Sequence, residues 1–163
     1  MHVTIIDDNR DVLETYKTAL EGKFNCETFF EPERAIEFVK QNHTDAILLD
    51  LHIPQKDGFQ VYEEIRRAKN FVPILFLTGD GTLPAKLRGL EMGADDFITK
   101  PVEIEELAAR IRNRVQLTKK NFHLNKTIQF KDLVIDLDAH QVLMGGQPVK
   151  LTPKEYQLLL VLA

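Results

Sequence analysis

The chain has a single cysteine, Cys26, among 163 residues. One thiol cannot build an internal disulfide framework, and it fits a reducing compartment. Cys26 stands among strand-forming residues and reads as core filler. No apolar run approaches the length that spans a bilayer, and the N-terminus is strand-like, without a basic segment leading into an apolar one. A membrane span and a secretory leader are therefore not expected, and the protein is placed in the cytoplasm. The five histidines, at 2, 43, 52, 123 and 140, show no metal-ligand spacing and receive no role. An excess of positive charge is also missing. The formal net charge is −4, which argues against the whole chain being a nucleic-acid binder. The sign is uneven, however. Residues 1–118 carry 15 Lys and Arg against 21 Asp and Glu, and residues 119–163 carry 6 against 4, a hint of two jobs in one chain.

What is present begins with Ala46-Ile47-Leu48-Leu49-Asp50-Leu51-His52-Ile53-Pro54. Four consecutive apolar residues predict a strand buried on both faces, as in the middle of a parallel sheet. Asp50 follows the run, and Pro54 and Asp57-Gly58 shape the loop beyond it. A carboxylate there lies in the crevice where open α/β sheets bind ligands.

The rest of the first 118 residues repeats the theme. Val3-Thr4-Ile5-Ile6 predicts a strand ending at Asp7-Asp8, then a helix from Asn9–Asp11 to Gly22 on the spacing of Val12, Leu13, Tyr16, Ala19 and Leu20. Phe24 to Phe30 predicts a second strand, and Glu31-Pro32-Glu33 opens a helix carrying Ala35, Ile36, Phe38 and Val39 inward. After the Asp50 strand comes a helix from about Gly58. Pro73 to Leu77 is a further apolar strand, ending at Thr78-Gly79-Asp80-Gly81. A weaker helix spans Leu83 to Met92 and stops at Gly93. Phe97-Ile98-Thr99 is a short strand closed by Lys100-Pro101, and a last helix runs from Glu103 to about Thr118. Five strands alternating with five helices predict a doubly wound parallel sheet. Right-handed crossovers put every strand's C-terminal end on one edge, which gathers Asp7, Asp8, Asp50, Thr78 and Lys100.

Three converging carboxylates repel unless a cation compensates them. A hard, all-oxygen site with room for water suits Mg²⁺. Lys100 adds fixed positive charge and Thr78 a hydroxyl. Together they look built to hold a phosphoryl group on Asp50.

Ile5-Ile6-Asp7-Asp8, Leu48-Leu49-Asp50-Leu51 with Pro54 and Asp57-Gly58, Thr78-Gly79, and Phe97-Ile98-Thr99-Lys100-Pro101 resemble the receiver domain of two-component response regulators. The resemblance implies a flavodoxin-like fold and phosphoryl transfer from a histidine kinase to Asp50. It implies that Asp8, Asp50 and the His52 backbone carbonyl ligate Mg²⁺, with Asp7 acting through water. Thr78 would move toward the phosphoryl group, Lys100 would pair with it, and Phe97 would be a rotating aromatic switch. Many such domains place tyrosine at that position, and Phe97 can signal only by its burial. Lys86, Asp96, Glu106 and Arg110 resemble the charged pairs through which the OmpR/PhoB subfamily forms a homodimer on its fourth helix, fifth strand and fifth helix. The resemblance would pair Lys86 with Glu106 and Asp96 with Arg110 across a two-fold axis.

Thr118 to Asn121 is polar and basic, and residues 119–127 read as a linker. Ile128 to Phe130, Leu133 to Asp136 and Gln141 to Met144 are short alternating strands. Gly145-Gly146 is a hairpin turn, and Pro148 to Leu151 returns. Thr152-Pro153-Lys154-Glu155 starts a helix with a capping box, followed by an apolar run at Tyr156, Leu158, Leu159 and Leu160. Residues 128–163 resemble the first sheet and first helix of a winged-helix output domain. That domain's DNA-recognition helix would lie further on, so promoter DNA is expected as a partner only of a longer form, and the Leu-rich face of 156–163 is expected to lack its packing partners. The leading reading is a phosphorylation-controlled transcription regulator without enzymatic turnover beyond its own phosphorylation and slow dephosphorylation. A stand-alone phosphotransfer or protein-interaction module is the alternative. A Mg²⁺-dependent phosphohydrolase would need an acid where His52 stands.

Overall fold

A computed structural model of the chain describes all residues except 55, 69–71, 126, 137–140, 153–154, 156–158 and 160–163, and for 120–125 and 127 the backbone only. The chain divides into two compact units, Met1–Thr118 and Lys119–Ala163.

The first unit holds strands β1 (His2–Ile6), β2 (Asn25–Phe29), β3 (Ala46–Leu49), β4 (Ile74–Thr78) and β5 (Asp96–Thr99). Helices α1 (Arg10–Leu20), α2 (Pro32–Gln41), α3 (Gly58–Ala68) and α4 (Leu83–Glu91) alternate with them, and α5 (Ile104–Asn125) follows β5. All strand pairs are parallel, in the order β2-β1-β3-β4-β5. The four residues of β3 are all buried, as a central strand covered on both faces requires. Its side chains alternate between two cores. Ala46 and Leu48 join Leu13, Leu20, Leu107, Ile111 and Val115 of α1 and α5, whereas Ile47 and Leu49 join Ala35, Val39, Val61 and Ile65 of α2 and α3.

Local chemistry sets the helix ends. Asn9 caps α1 with its side-chain oxygen, which accepts from the backbone N–H groups of Asp11 and Val12. Pro32 opens α2, and Gly93 follows α4 with φ of 81°. Several boundaries shift by a residue or so from the sequence reading, and two of the differences have a plain cause. Strand β5 begins at Asp96, one residue early, because Asp96 pairs with Leu75 of β4. Helix α5 runs on to Asn125 through much of the expected 119–127 linker, since nothing between Thr118 and Asn125 is Gly or Pro and no stop signal interrupts it.

The second unit contains an antiparallel sheet ordered β6 (Thr127–Phe130), β7 (Leu133–Asp136), β8 (Gln141–Met144) and β9 (Gln147–Val149). Gly145 and Gly146, both at positive φ, make the β8–β9 turn, where two left-handed residues match the strands' twist. Ile135 and Val142 face each other across β7 and β8, and both are buried. The capping box forms as expected. Glu155 accepts from the Thr152 N–H at 2.7 Å, and Thr152 Oγ1 accepts from the Glu155 N–H at 3.4 Å. Most of the apolar run from Tyr156 onward lies outside the described residues. No helix among the described residues is long and apolar enough to cross a membrane.

Candidate functional site

Topology alone brings the site together. Chain direction reverses its winding between β1 and β3, because β2 lies to one side of β1 and β3 to β5 lie to the other. Asp7 and Asp8 follow β1, Asp50 follows β3, Thr78 ends β4, and Lys100 follows β5. Lys100 reaches back across the sheet edge, and its Nζ donates to Asp7 Oδ2 at 2.5 Å and to Asp50 Oδ1 at 3.0 Å. Both carboxylate side chains are only 7% exposed.

Each acid is further fixed by its own loop. Asp7 Oδ1 accepts from the Asn9 N–H at 2.9 Å, and Asp50 Oδ2 accepts from the His52 N–H at 2.6 Å. Burial alone would push the Lys100 amine down, but its hydrogen bonds and charge pairing with Asp7 and Asp50 leave it raised. Tyr16 of α1 senses the same charges, although burial is the main cause that pushes its phenol up. Thr78 is fully buried, and its Oγ1 accepts from the Asp80 N–H at 3.1 Å. Asp80 in turn lies 3.5 Å from His52 Nε2. Its carboxyl is held low, chiefly by the Thr82 N–H and hydroxyl, with a smaller share from His52.

Among the described residues, no three His, Cys, Asp or Glu side chains close on one point as a finished metal cage. Lys100 bonds Asp7 and Asp50 instead, and Asp8 is exposed with no polar partner among the described residues. Three carboxylates against one ammonium leave net negative charge at an all-oxygen donor set. That chemistry fits a small hard dication, with Asp7, Asp8, Asp50 and the His52 carbonyl as the groups that could hold it.

Phe97 is half-buried on β5, with its ring centroid 6.0 Å from that of Phe76. The charges proposed for a dimer face are arranged within the single chain. Arg110 pairs with Glu106 at 2.8 Å and with Asp96 at 3.3 Å, and Arg114 also reaches Asp96 at 3.3 Å. The Glu106 hydrogen bond is the main cause that raises the Arg110 guanidinium. Lys86 is half-exposed and has no ion pair among the described residues.

Sequence reasoning passed over three features. Asp80 reads as a turn residue until its contact with His52 is seen. Arg88 gives no linear signal, yet it stacks on Phe59. His2 and His43 look unrelated but have ring centroids 6.0 Å apart, and Asp45 serves both, accepting from the His2 N–H and lying 3.4 Å from His43 Nε2.

A parallel sheet of this order, covered by helices and carrying acids, a hydroxyl and a lysine on its C-terminal edge, defines a flavodoxin-like α/β domain. The sequence family described as "Response regulator receiver domain" matches residues 3–112. The cell cycle response regulator CtrA of Brucella ovis is 40% identical over 164 aligned positions, covering all of this chain and 70% of that protein. The Thermotoga maritima regulator DrrB, an OmpR/PhoB homologue, superimposes with a TM-score of 0.64 at 27% identity, over 99% of this chain and 71% of that one. A CheY-like receiver from Methanospirillum hungatei gives a TM-score of 0.70 at 22% identity, covering 74% of this chain and 97% of its own, which speaks for the fold. This chain belongs to the response regulators, with a receiver domain of the OmpR/PhoB subfamily.

Proposed function

We propose that the chain is the phosphorylation-controlled component of a two-component system, taking a phosphoryl group on Asp50 from a phosphohistidine of a histidine kinase. The observation that carries this reading is Lys100, which spans the sheet edge to bond both Asp7 and Asp50. An oxygen of the Asp50 carboxylate attacks phosphorus, the P–N bond to the kinase imidazole breaks, and the imidazole nitrogen leaves with the bonding pair. A bound Mg²⁺, held by Asp8, Asp50 and the His52 carbonyl with Asp7 through water, would neutralise phosphoryl oxygens.

Phosphorylation adds about −1.5 to −2 charges and three strong acceptors at Asp50. Lys100 then exchanges a carboxylate partner for a phosphoryl oxygen, and the Thr78 hydroxyl, now engaged with the Asp80 N–H, has a stronger acceptor to turn toward. Its movement frees space that Phe97 can fill. Moving such a switch from 1:99 to 99:1 takes about 5.5 kcal/mol of differential stabilisation. The protein is a switch in this reading, not a turnover enzyme. It works in the cytoplasm, and its output is homodimerisation through α4, β5 and α5. Release of Asp96 and Glu106 from their present partners would allow pairing with Arg110 and Lys86 of a second copy. DNA binding belongs to the second unit as it is carried in a longer form, since this chain spans 70% of the length of CtrA.

Intact mass after incubation with acetyl phosphate and Mg²⁺ tests the proposal. The wild type gains one phosphoryl group, and Asp50→Asn or added EDTA abolishes the gain. A folded wild type that gains nothing, or an equal gain in Asp50→Asn, overturns it.

A further inference from the structure

Helix α4 is weakly anchored. Gly89 is its single buried residue, while Leu83, Leu87 and Leu90 stand in solvent. Gly89 admits the ring of Phe97, for a Cβ there would lie 3.0 Å from Phe97 Cδ2. The preceding residue, Arg88, extends to a different part of the domain. Its guanidinium carbon sits 4.1 Å over the ring centroid of Phe59, and Nη1 lies 3.4 Å from Asp57 Oδ2.

Asp57 and Phe59 are parts of the loop and helix start that follow Asp50. Asp57 Oδ1 accepts from the Phe59 N–H at 3.1 Å, so one carboxylate both caps α3 and holds Arg88. Between them, Gly58 donates to the Leu51 carbonyl at 3.1 Å and packs directly on the Asp50 carbonyl oxygen. Phe59 is buried, and its ring meets Phe76 edge-on at 5.2 Å. A planar guanidinium can lie flat on an aromatic face while its edge reaches a carboxylate, and a compact ammonium lacks that flat stacking surface.

We infer that Arg88 is a positioning residue that clamps α4 to the Asp57–Phe59 segment, so that a change at Asp50 reaches α4 by a route separate from Thr78 and Phe97. The role in signalling rests on the reading of Asp50 as phosphoryl acceptor. The clamp itself does not.

Hydrogen–deuterium exchange of the full chain separates the two. Wild type, Arg88→Gln and Arg88→Lys are compared with and without acetyl phosphate and Mg²⁺, with intact mass read on every sample. Without the donor, peptides over residues 83–91 exchange about two- to five-fold faster in Arg88→Gln, while β1 and β3 keep their protection. Lys restores the ion pair without the flat stacking and recovers part of the protection. With the donor, the α4 response of Arg88→Gln falls by about half or more relative to wild type. Unchanged α4 exchange in Arg88→Gln without donor overturns the clamp. An α4 response equal to wild type in phosphorylated Arg88→Gln overturns the coupling. A wild type with no added mass removes the phosphoacceptor reading, and the donor-free comparison still decides the clamp.

Discussion

At Gly58 and at Gly89 the missing methyl group lets another part of the domain approach closely. At Gly58 a Cβ would stand 2.4 Å from the Asp50 carbonyl oxygen and 2.6 Å from Leu51 Cα, both backbone atoms with nowhere to go. Gly58→Ala should therefore lose about 3 kcal/mol, the upper range of overpacking costs, read as a lower urea midpoint. The displaced loop should also slow the phosphoryl gain on Asp50. An unchanged midpoint would contradict the close approach. Gly89 is a balance of two terms. Alanine gains about 1 kcal/mol of helix propensity, but its methyl meets Phe97 at 3.0 and 3.3 Å and Phe76 at 3.4 Å. Phe97 is half-buried and can yield, so Gly89→Ala should change stability by less than about 1 kcal/mol. In a Phe97→Leu background the same substitution should be more stabilising, because the ring it strikes is gone. Equal effects in the two backgrounds would mean that the glycine does not seat the ring. Neither role is legible in the sequence. Gly58 reads there as a turn residue and Gly89 as an ordinary helix position, since close approach is a property of two distant segments.

At the scale of elements the sequence is far more transparent. Strands β3 and β4 are uninterrupted apolar runs, and those runs predict burial on both faces because only a covered parallel strand tolerates them. The site followed from the same reasoning, as each of Asp7, Asp8, Asp50, Thr78 and Lys100 stands at a strand end. The end of α5 was obscure for a physical reason. Lys119, Lys120 and Asn121 are polar enough for a linker and also compatible with an exposed helix, and polarity does not choose between them. The Thr152–Glu155 capping box was legible because its signal is local. Glu155 is held below the usual carboxylate range, first by the Thr152 N–H and then by its hydroxyl. A carboxyl with a lowered folded-state value contributes stability above its unfolded value, near 4.3, and that contribution is lost as pH falls through the folded value. Exchange of the Thr152 and Glu155 amides should therefore quicken on acidification, after correction for intrinsic rates, and Glu155→Gln should flatten that change. A pH profile identical in the variant would remove Glu155 as its source.

For the whole molecule the relevant quantity is where charge collects. Residues 1–118 are net negative and residues 119–163 net positive, so the net charge of −4 conceals an acidic receiver that carries Asp7, Asp8 and Asp50 at its strand ends. In the present arrangement Lys100 is the only cation bonded to these acids among the described residues. One ammonium leaves the cluster undercompensated, so a divalent cation that binds the folded domain and not the unfolded chain must stabilise it by mass action. At a hundredfold excess over its Kd the gain is about 2.7 kcal/mol, which for a domain of this size corresponds to a rise in thermal midpoint of about 10 °C. Tyrosine fluorescence suits the measurement, as Tyr16 and Tyr62 both belong to the first unit. Mg²⁺ should raise the midpoint of the wild type in proportion to the logarithm of its concentration. Asp8→Asn removes an exposed acid that makes no bond among the described residues, so it should leave the metal-free midpoint nearly unchanged and abolish most of the rise. That contrast separates binding from folding. A rise of equal size in Asp8→Asn would show that Mg²⁺ acts by general screening of an acidic surface, and the carboxylate edge would then need Lys100 alone to bring a phosphoryl group to Asp50.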